Sequence, residues 1–139
     1  MRYFLYILSF FISIIHSVEF NVYPYLQDAT PNSMHILWET DSESQSIVEW
    51  GEYVFLTEAT TGSSFINYGN SRIHTVQLVN LEPNTRYYYR AVLGDYESYS
   101  DLYDFITPPE PSSEASFRII AMSDMQRDGA NPNKFNEVI

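Results

Sequence analysis

From residue 18 to residue 107 the chain consists of short runs in which apolar and polar residues alternate, broken by turn residues at roughly ten-residue spacing. A period of two sends successive side chains to opposite faces of an extended strand, so each run predicts a strand with one buried face. No 3.6-residue period appears in this stretch. Regularly spaced short strands of this kind predict an all-β fold, an antiparallel two-sheet sandwich of seven or so strands. In residues 34–39, Met34, Ile36 and Trp38 share one face, with His35 and Glu39 on the other. In residues 46–50, Val48 and Trp50 fall together and the run ends at Gly51; in residues 73–78, His74, Val76 and Leu78 do the same. Residues 23–27, 87–93 and 99–106 supply further strands and residues 55–60 a weaker one. Residues 28–33 read as a turn by composition, and residues 61–71 as mostly loop. The predicted core holds Ile36, Trp38, Val48, Val76, Tyr87 and Phe105. His35 and His74 are expected at edge or half-buried strand positions. Trp38 and Trp50 are expected to pack in the core rather than line a ligand surface.

The 139 residues suffice for one sandwich core of about 100 residues, but not for a second complete domain. Twelve Tyr and nine Phe favour strands over helices. The formal net charge is −11, and Lys134 is the one lysine among seven basic residues. Neutralising phosphates takes clustered Lys and Arg, so a nucleic-acid partner is not expected. With no cysteine, disulfides, thiolate catalysis and Cys-ligated zinc are all excluded. The chain also carries no Asn-x-Ser/Thr acceptor for N-glycosylation.

Two segments flank the sandwich. At the amino end, Arg2 precedes an apolar run (residues 3–15) too short to cross about 30 Å of hydrocarbon as a helix. A small residue follows at Ser17, so residues 1–17 match a secretory signal peptide, with an uncleaved anchor as the alternative. The expectation is a secreted protein, extracellular or periplasmic, free of the membrane after cleavage. At the other end, residues 107–116 hold three prolines, three serines and two glutamates. This composition makes residues 108–116 a stiff linker between a domain at 18–107 and a distinct segment at 117–139.

That last segment opens with an apolar run at 117–122, as for a strand buried on both faces. A polar loop follows, then a helix start with Asn131 as N-cap and Pro132 in the first helical position. Strand, loop and helix make the first half of a βαβ unit. Asp124 lies two residues past the strand, where open α/β sheets place their sites. Its carboxylate suits divalent metals, although an aspartate there can equally cap a loop.

Residues 81–92, with Leu81, Pro83, Thr85 and Tyr87 in a Leu-x-Pro-x-Thr-x-Tyr run, resemble the turn into the sixth strand of a fibronectin type III domain. The resemblance implies a tyrosine corner, in which the Tyr87 hydroxyl reaches back to backbone a few residues upstream. Tyr87, like Trp38, would be a structural residue. The wider order of parts resembles the purple acid phosphatases: the opening at residues 23–27, the runs at 34–40 and 48–51, the Phe-x-Thr-Pro-Pro ending at 105–109, and an apolar strand closing on an aspartate. This resemblance implies a fibronectin-III-like domain followed by the incomplete first β-loop-α unit of an α/β, calcineurin-like metallophosphoesterase domain. It further implies hydrolysis of phosphate monoesters at a dinuclear centre of Fe, Zn or Mn, with a metal-bound hydroxide attacking phosphorus. Asp124 inherits the position of the first metal ligand. The family pattern Gly-Asp-x-Gly is here Ser123-Asp124-Met125-Gln126, which weakens the expectation of a purple Fe(III)–tyrosinate enzyme. Gln126 either offers its amide oxygen to the same metal, bonds a substrate oxygen, or is a loop residue. The other ligands in that family come from later Gly-Asp, Asn-His and histidine motifs. With those lacking, the chain as given is expected to be inactive, with no catalytic residue of its own. The alternative is a secreted fibronectin-III binding or adhesion module.

Overall fold

A computed structural model describes residues 17–94, 96 and 98–116. Among the described residues nine strands run in order: β1 (Phe20–Thr30), β2 (Ser33–Thr40), β3 (Ile47–Gly51), β4 (Glu58–Thr61), β5 (Ser63–Ile66), β6 (Arg72–Val79), β7 (Arg86–Leu93), β8 (Ser98–Tyr99) and β9 (Tyr103–Ile106). They form two antiparallel sheets packed as a sandwich. The first, sheet A, has the order β1-β2-β6-β5; the second, sheet B, has β4-β3-β7-β8, with β9 also on β7. Among the described residues no helix is long and apolar enough to cross a membrane.

The alternation in the sequence becomes the two faces of each sheet. In β2, Met34, Ile36, Trp38 and Thr40 are buried while the residues between them are half-exposed. Across the β2–β6 pair they stand opposite Leu78, Val76, His74 and Arg72. Facing them from sheet B are Val48, Tyr87, Tyr89, Ala91 and Phe105, in one continuous core. All six predicted core residues are buried there. Trp38 is the largest fully buried side chain, and its bicyclic ring supplies more apolar area than an aliphatic residue could. Its indole N–H has no acceptor, a cost of about 1–3 kcal/mol that the ring's burial must outweigh.

Four local readings are corrected. The segment read as mostly loop contains β5, whose Ser63, Ser64, Phe65 and Ile66 pair with Thr75, His74, Ile73 and Arg72. The chain leaves sheet B at Thr61 and joins sheet A at Ser63, so Gly62 is the crossing point. Its N–H donates to Ser46 O at 2.8 Å. A Cβ there would lie 1.9 Å from the Thr75 carbonyl oxygen, so only glycine fits. The turn at residues 28–33 is narrower than composition suggested. β1 runs to Thr30, with register shifts around Pro24 and Asp28, and Asp28 is left-handed at φ 50°. As an edge strand, β1 tolerates a proline that cannot donate to a ladder. Finally, residues 53–56 form a turn closed by Leu56 N–H to Tyr53 O at 3.2 Å, and the strand begins only at Glu58.

The segment read as one strand at 99–106 is two. Residues 100–102 interrupt it, and the gap is held by Ser100, whose N–H donates to Ala91 O and whose Oγ accepts from Ala91 N–H, each at 2.9 Å.

Candidate functional site

The chain leaves the sandwich through a hydrogen-bonded clamp built by the loop between β6 and β7. Tyr87 sends its ring inward, 5.8 Å from Phe105 and 5.7 Å from Trp50 by ring centroids. Its hydroxyl accepts from Glu82 N–H at 2.9 Å, five residues upstream. Pro83 fixes the backbone entering the turn, and Asn84 takes the left-handed conformation at φ 50° that asparagine tolerates best after glycine.

Thr107 completes the clamp. It is fully buried, and its Oγ1 donates to Glu82 O at 2.6 Å while accepting from Thr85 N–H at 2.9 Å. Its own N–H donates to Thr85 O at 3.0 Å, and Asn84 N–H donates to Pro108 O at 3.2 Å. Residues 82–85 therefore grip residues 107–108 at four points. This fixes the direction in which the chain departs toward the segment that carries Asp124. Tyr87 is given a structural role by the sequence, whereas Thr107 is marked only as part of the Phe-x-Thr-Pro-Pro ending; the signal for its clamping role is a hydroxyl residue immediately before two prolines, where the preceding residue is held extended.

A second polar constellation lies inside the core. His74 was placed at an edge or half-buried position; it is instead fully buried, its ring stacked on Trp38 at 4.9 Å and 5°. Its Nε2 is 2.8 Å from Thr40 Oγ1 and its Nδ1 is 2.9 Å from Ser46 Oγ. Thr40 gives its one hydroxyl proton to Ser42 O at 2.7 Å, so it accepts from Nε2–H. Nδ1 then holds the lone pair and accepts from the Ser46 hydroxyl, an assignment made from the bonding network. Burial pushes the imidazole pKa down to about 4, with nearby Arg72 adding to the effect. Both ring nitrogens are engaged, which leaves neither for a metal. His35 is half-exposed on the opposite face of sheet A, its Nδ1 3.9 Å from an Asp28 carboxylate oxygen.

Among the described residues no group of three His, Cys, Asp or Glu side chains is placed to hold a metal ion. The donor set of the sandwich therefore does not fit a dinuclear centre. The two residues assigned to a metal from the sequence, Asp124 and Gln126, lie outside the described residues. Tyr87 and Trp38 are both built into the core.

Solved structures share the sandwich. The long form of the sensor domain of the anti-sigma factor RsgI4 in Pseudobacteroides cellulosolvens matches with a TM-score of 0.52 at 16% identity. That match covers 72% of this chain and 100% of that one. The short form of the same sensor domain matches with a TM-score of 0.51 at 17% identity, over 68% of this chain and 98% of that one. At such identities the likeness shows the fold alone. The family model described as "Purple acid Phosphatase, N-terminal domain" matches residues 20–107, from the first residue of β1 to the buried threonine of the clamp. The chain thus belongs to the purple acid phosphatase N-terminal domain family.

Proposed function

We propose that the sandwich is the accessory domain of a secreted, metal-dependent phosphoesterase that hydrolyses phosphate monoesters. In this reading residues 1–17 direct export, residues 18–107 are the accessory domain, and residues 108–116 link it to the start of the catalytic part at 117–139. The observation that carries the reading is the family match over residues 20–107. Supporting it, the sandwich ends in a clamp that fixes its carboxyl-terminal exit, as suits a domain that must hold a following one in place. Asp124 would hold one of a pair of Fe, Zn or Mn ions, with Gln126 beside it. A bound metal pair would supply a hydroxide nucleophile and hold the oxygens of an in-line displacement. A single carboxylate cannot hold two ions at about 3.5–4 Å, so residues 1–139 by themselves would be inactive.

The test is hydrolysis of p-nitrophenyl phosphate with added Mn²⁺, Zn²⁺ or Fe³⁺. It compares residues 1–139 with a form extended through the downstream reading frame. Turnover is expected from the extended form, loss of it in Asp124→Ala, and none from the short chain. Turnover by the short chain that disappears in Asp124→Ala would refute the division of labour.

A binding module is the second reading. It is favoured by Tyr53 and Phe55, whose rings stack at 5.2 Å and 2° while both stay well exposed beside the β3–β4 turn. An extended frame without later Gly-Asp, Asn-His and histidine motifs would support it over the first.

A further inference from the structure

The turn that carries Tyr53 and Phe55 is held in a conformation its sequence does not favour. Leu56 closes it in the left-handed region at φ 36°, where a leucine is strained and a glycine is not. Such strain persists only where the surrounding structure enforces it. Here it leaves Tyr53, Val54 and Phe55 61%, 61% and 69% exposed. The two rings lie parallel to within 2°, with centroids 5.2 Å apart, so each turns one face toward the other and leaves its outer face to solvent. Contiguous exposed apolar residues mark a surface that is covered in use.

Charge says what covers it. Tyr53 lines a cleft of about 390 Å³ between this turn and the loop from β6 to β7. Trp50 contributes to the wall, and Glu52, Glu58, Glu82 and Asn80 bring polar groups to it. No Arg, Lys or His among the described residues lines this cleft. The three arginines of the sandwich are each committed elsewhere: Arg72 to Glu43 at 3.2 Å, Arg90 to Glu49 at 2.7 Å, and Arg86 to Asp104. Three carboxylates and an open aromatic face therefore meet where the sandwich supplies no countercharge.

Sheet B shows what such groups hold when a base is at hand. Arg90 sets its Nε and a terminal nitrogen on Glu49 at 2.8 and 2.7 Å, while its guanidinium carbon lies 3.9 Å from the centroid of the Tyr99 ring. A guanidinium is planar and weakly hydrated, so it can stack on a ring and fork onto a carboxylate at once. An ammonium is a compact, strongly hydrated point charge and gains less from the ring. The β3–β4 turn repeats the tyrosine and the carboxylate of this arrangement without the arginine.

We propose that this cleft is the docking site for an arginine presented by a partner protein, with its guanidinium stacked on Tyr53 and bonded by the carboxylates of Glu52, Glu58 and Glu82. An arginine within a peptide fits better than free arginine, whose own carboxylate would face three others. The proposal rests on the same two rings as the binding-module reading and is independent of the phosphoesterase one. Docking can fail while hydrolysis by the extended form stands, and the reverse, so the two are tested separately.

The probe is acetyl-arginine amide, titrated at low ionic strength into the isotope-labelled 139-residue chain. Saturable shifts of the amide resonances of residues 52–58, 80 and 82 are expected, together with upfield movement of the probe's δ-methylene protons by the Tyr53 ring current. Tyr53→Ser should weaken binding roughly two- to fivefold, the worth of an exposed cation–π contact, with the resonances of the rest of the sandwich in place. Glu58→Gln should weaken it by a similar factor. Acetyl-lysine amide and free arginine should each bind more weakly than the probe. Equal binding of the lysine compound overturns the proposal, because charge alone would then explain the shifts. Free arginine binding as tightly overturns it by making a small metabolite the occupant. Shifts spread over carboxylates across the whole surface, or no saturable shift at all, overturn it as well. So do shifts of the same residues that grow with chain concentration in the absence of probe, by making a second copy of the chain the occupant.

Discussion

Acidification should weaken the sandwich through one buried side chain, His74. In the folded chain its imidazole is fully buried, stacked on Trp38 and bonded at both nitrogens, and its pKa lies near 4 against an ordinary 6.5. Burial in a low-dielectric core is the leading cause, because it penalises the charged ring; Arg72, two residues away, adds like-charge repulsion. Protonating Nδ1 also forces the Ser46 hydroxyl to turn from donor to acceptor. Since the folded pKa lies below the unfolded one, the neutral ring's contribution is fully present above about pH 6.5. It is lost as pH falls through about 4. At about 1.4 kcal/mol per unit of separation, the ceiling is on the order of 3 kcal/mol. Relaxation and water penetration around the cation reduce the expected loss to about 2 kcal/mol. Urea melts of the chain and of His74→Gln at about pH 7 and about pH 4 measure it. The carboxylates and other histidines titrate alike in both proteins, so their difference isolates His74. The wild-type chain should lose about 2 kcal/mol more than the variant across this window. Parallel pH dependence, or a His74 ring resonance titrating near 6.5, would refute the reasoning.

Two further substitutions probe the frame. Tyr87→Phe should lower stability by about 1–3 kcal/mol, because it leaves Glu82 N–H without its acceptor while changing little else; an unchanged urea midpoint would mean the corner contributes nothing. Gly62→Ala should cost at least about 1–3 kcal/mol, the usual range for overpacking, since its methyl would meet the Thr75 carbonyl backbone rather than a movable side chain; a thermal melt with unchanged Tm would show that the sheet-to-sheet crossing can shift without loss.

The order and type of the main strands were legible in the sequence because burial on one face of a strand imposes a period of two. Met34, Ile36 and Trp38 announce such a face from their spacing, and the structure buries all three. The turn before Tyr87 was legible because proline and asparagine favour particular backbone angles wherever they occur. The sequence alone also set one limit on chemistry: without cysteine, thiolate sites and disulfides had no material. Tertiary structure decided what depends on a distant neighbour. β5 reads as loop because Ser63 and Ser64 have little strand preference; they become a strand by pairing with β6. His74 looked like an ordinary alternating residue, and only the approach of Thr40 from β2 and Ser46 from the loop before β3 allows an imidazole to be buried neutral and bonded. Thr107 became a clamp because residues 82–85, more than twenty positions earlier, present a carbonyl and an N–H to its hydroxyl. Periodicity and backbone preference act within a few residues. A buried polar group is satisfied by whatever the fold brings to it, and that partner can lie anywhere in the chain.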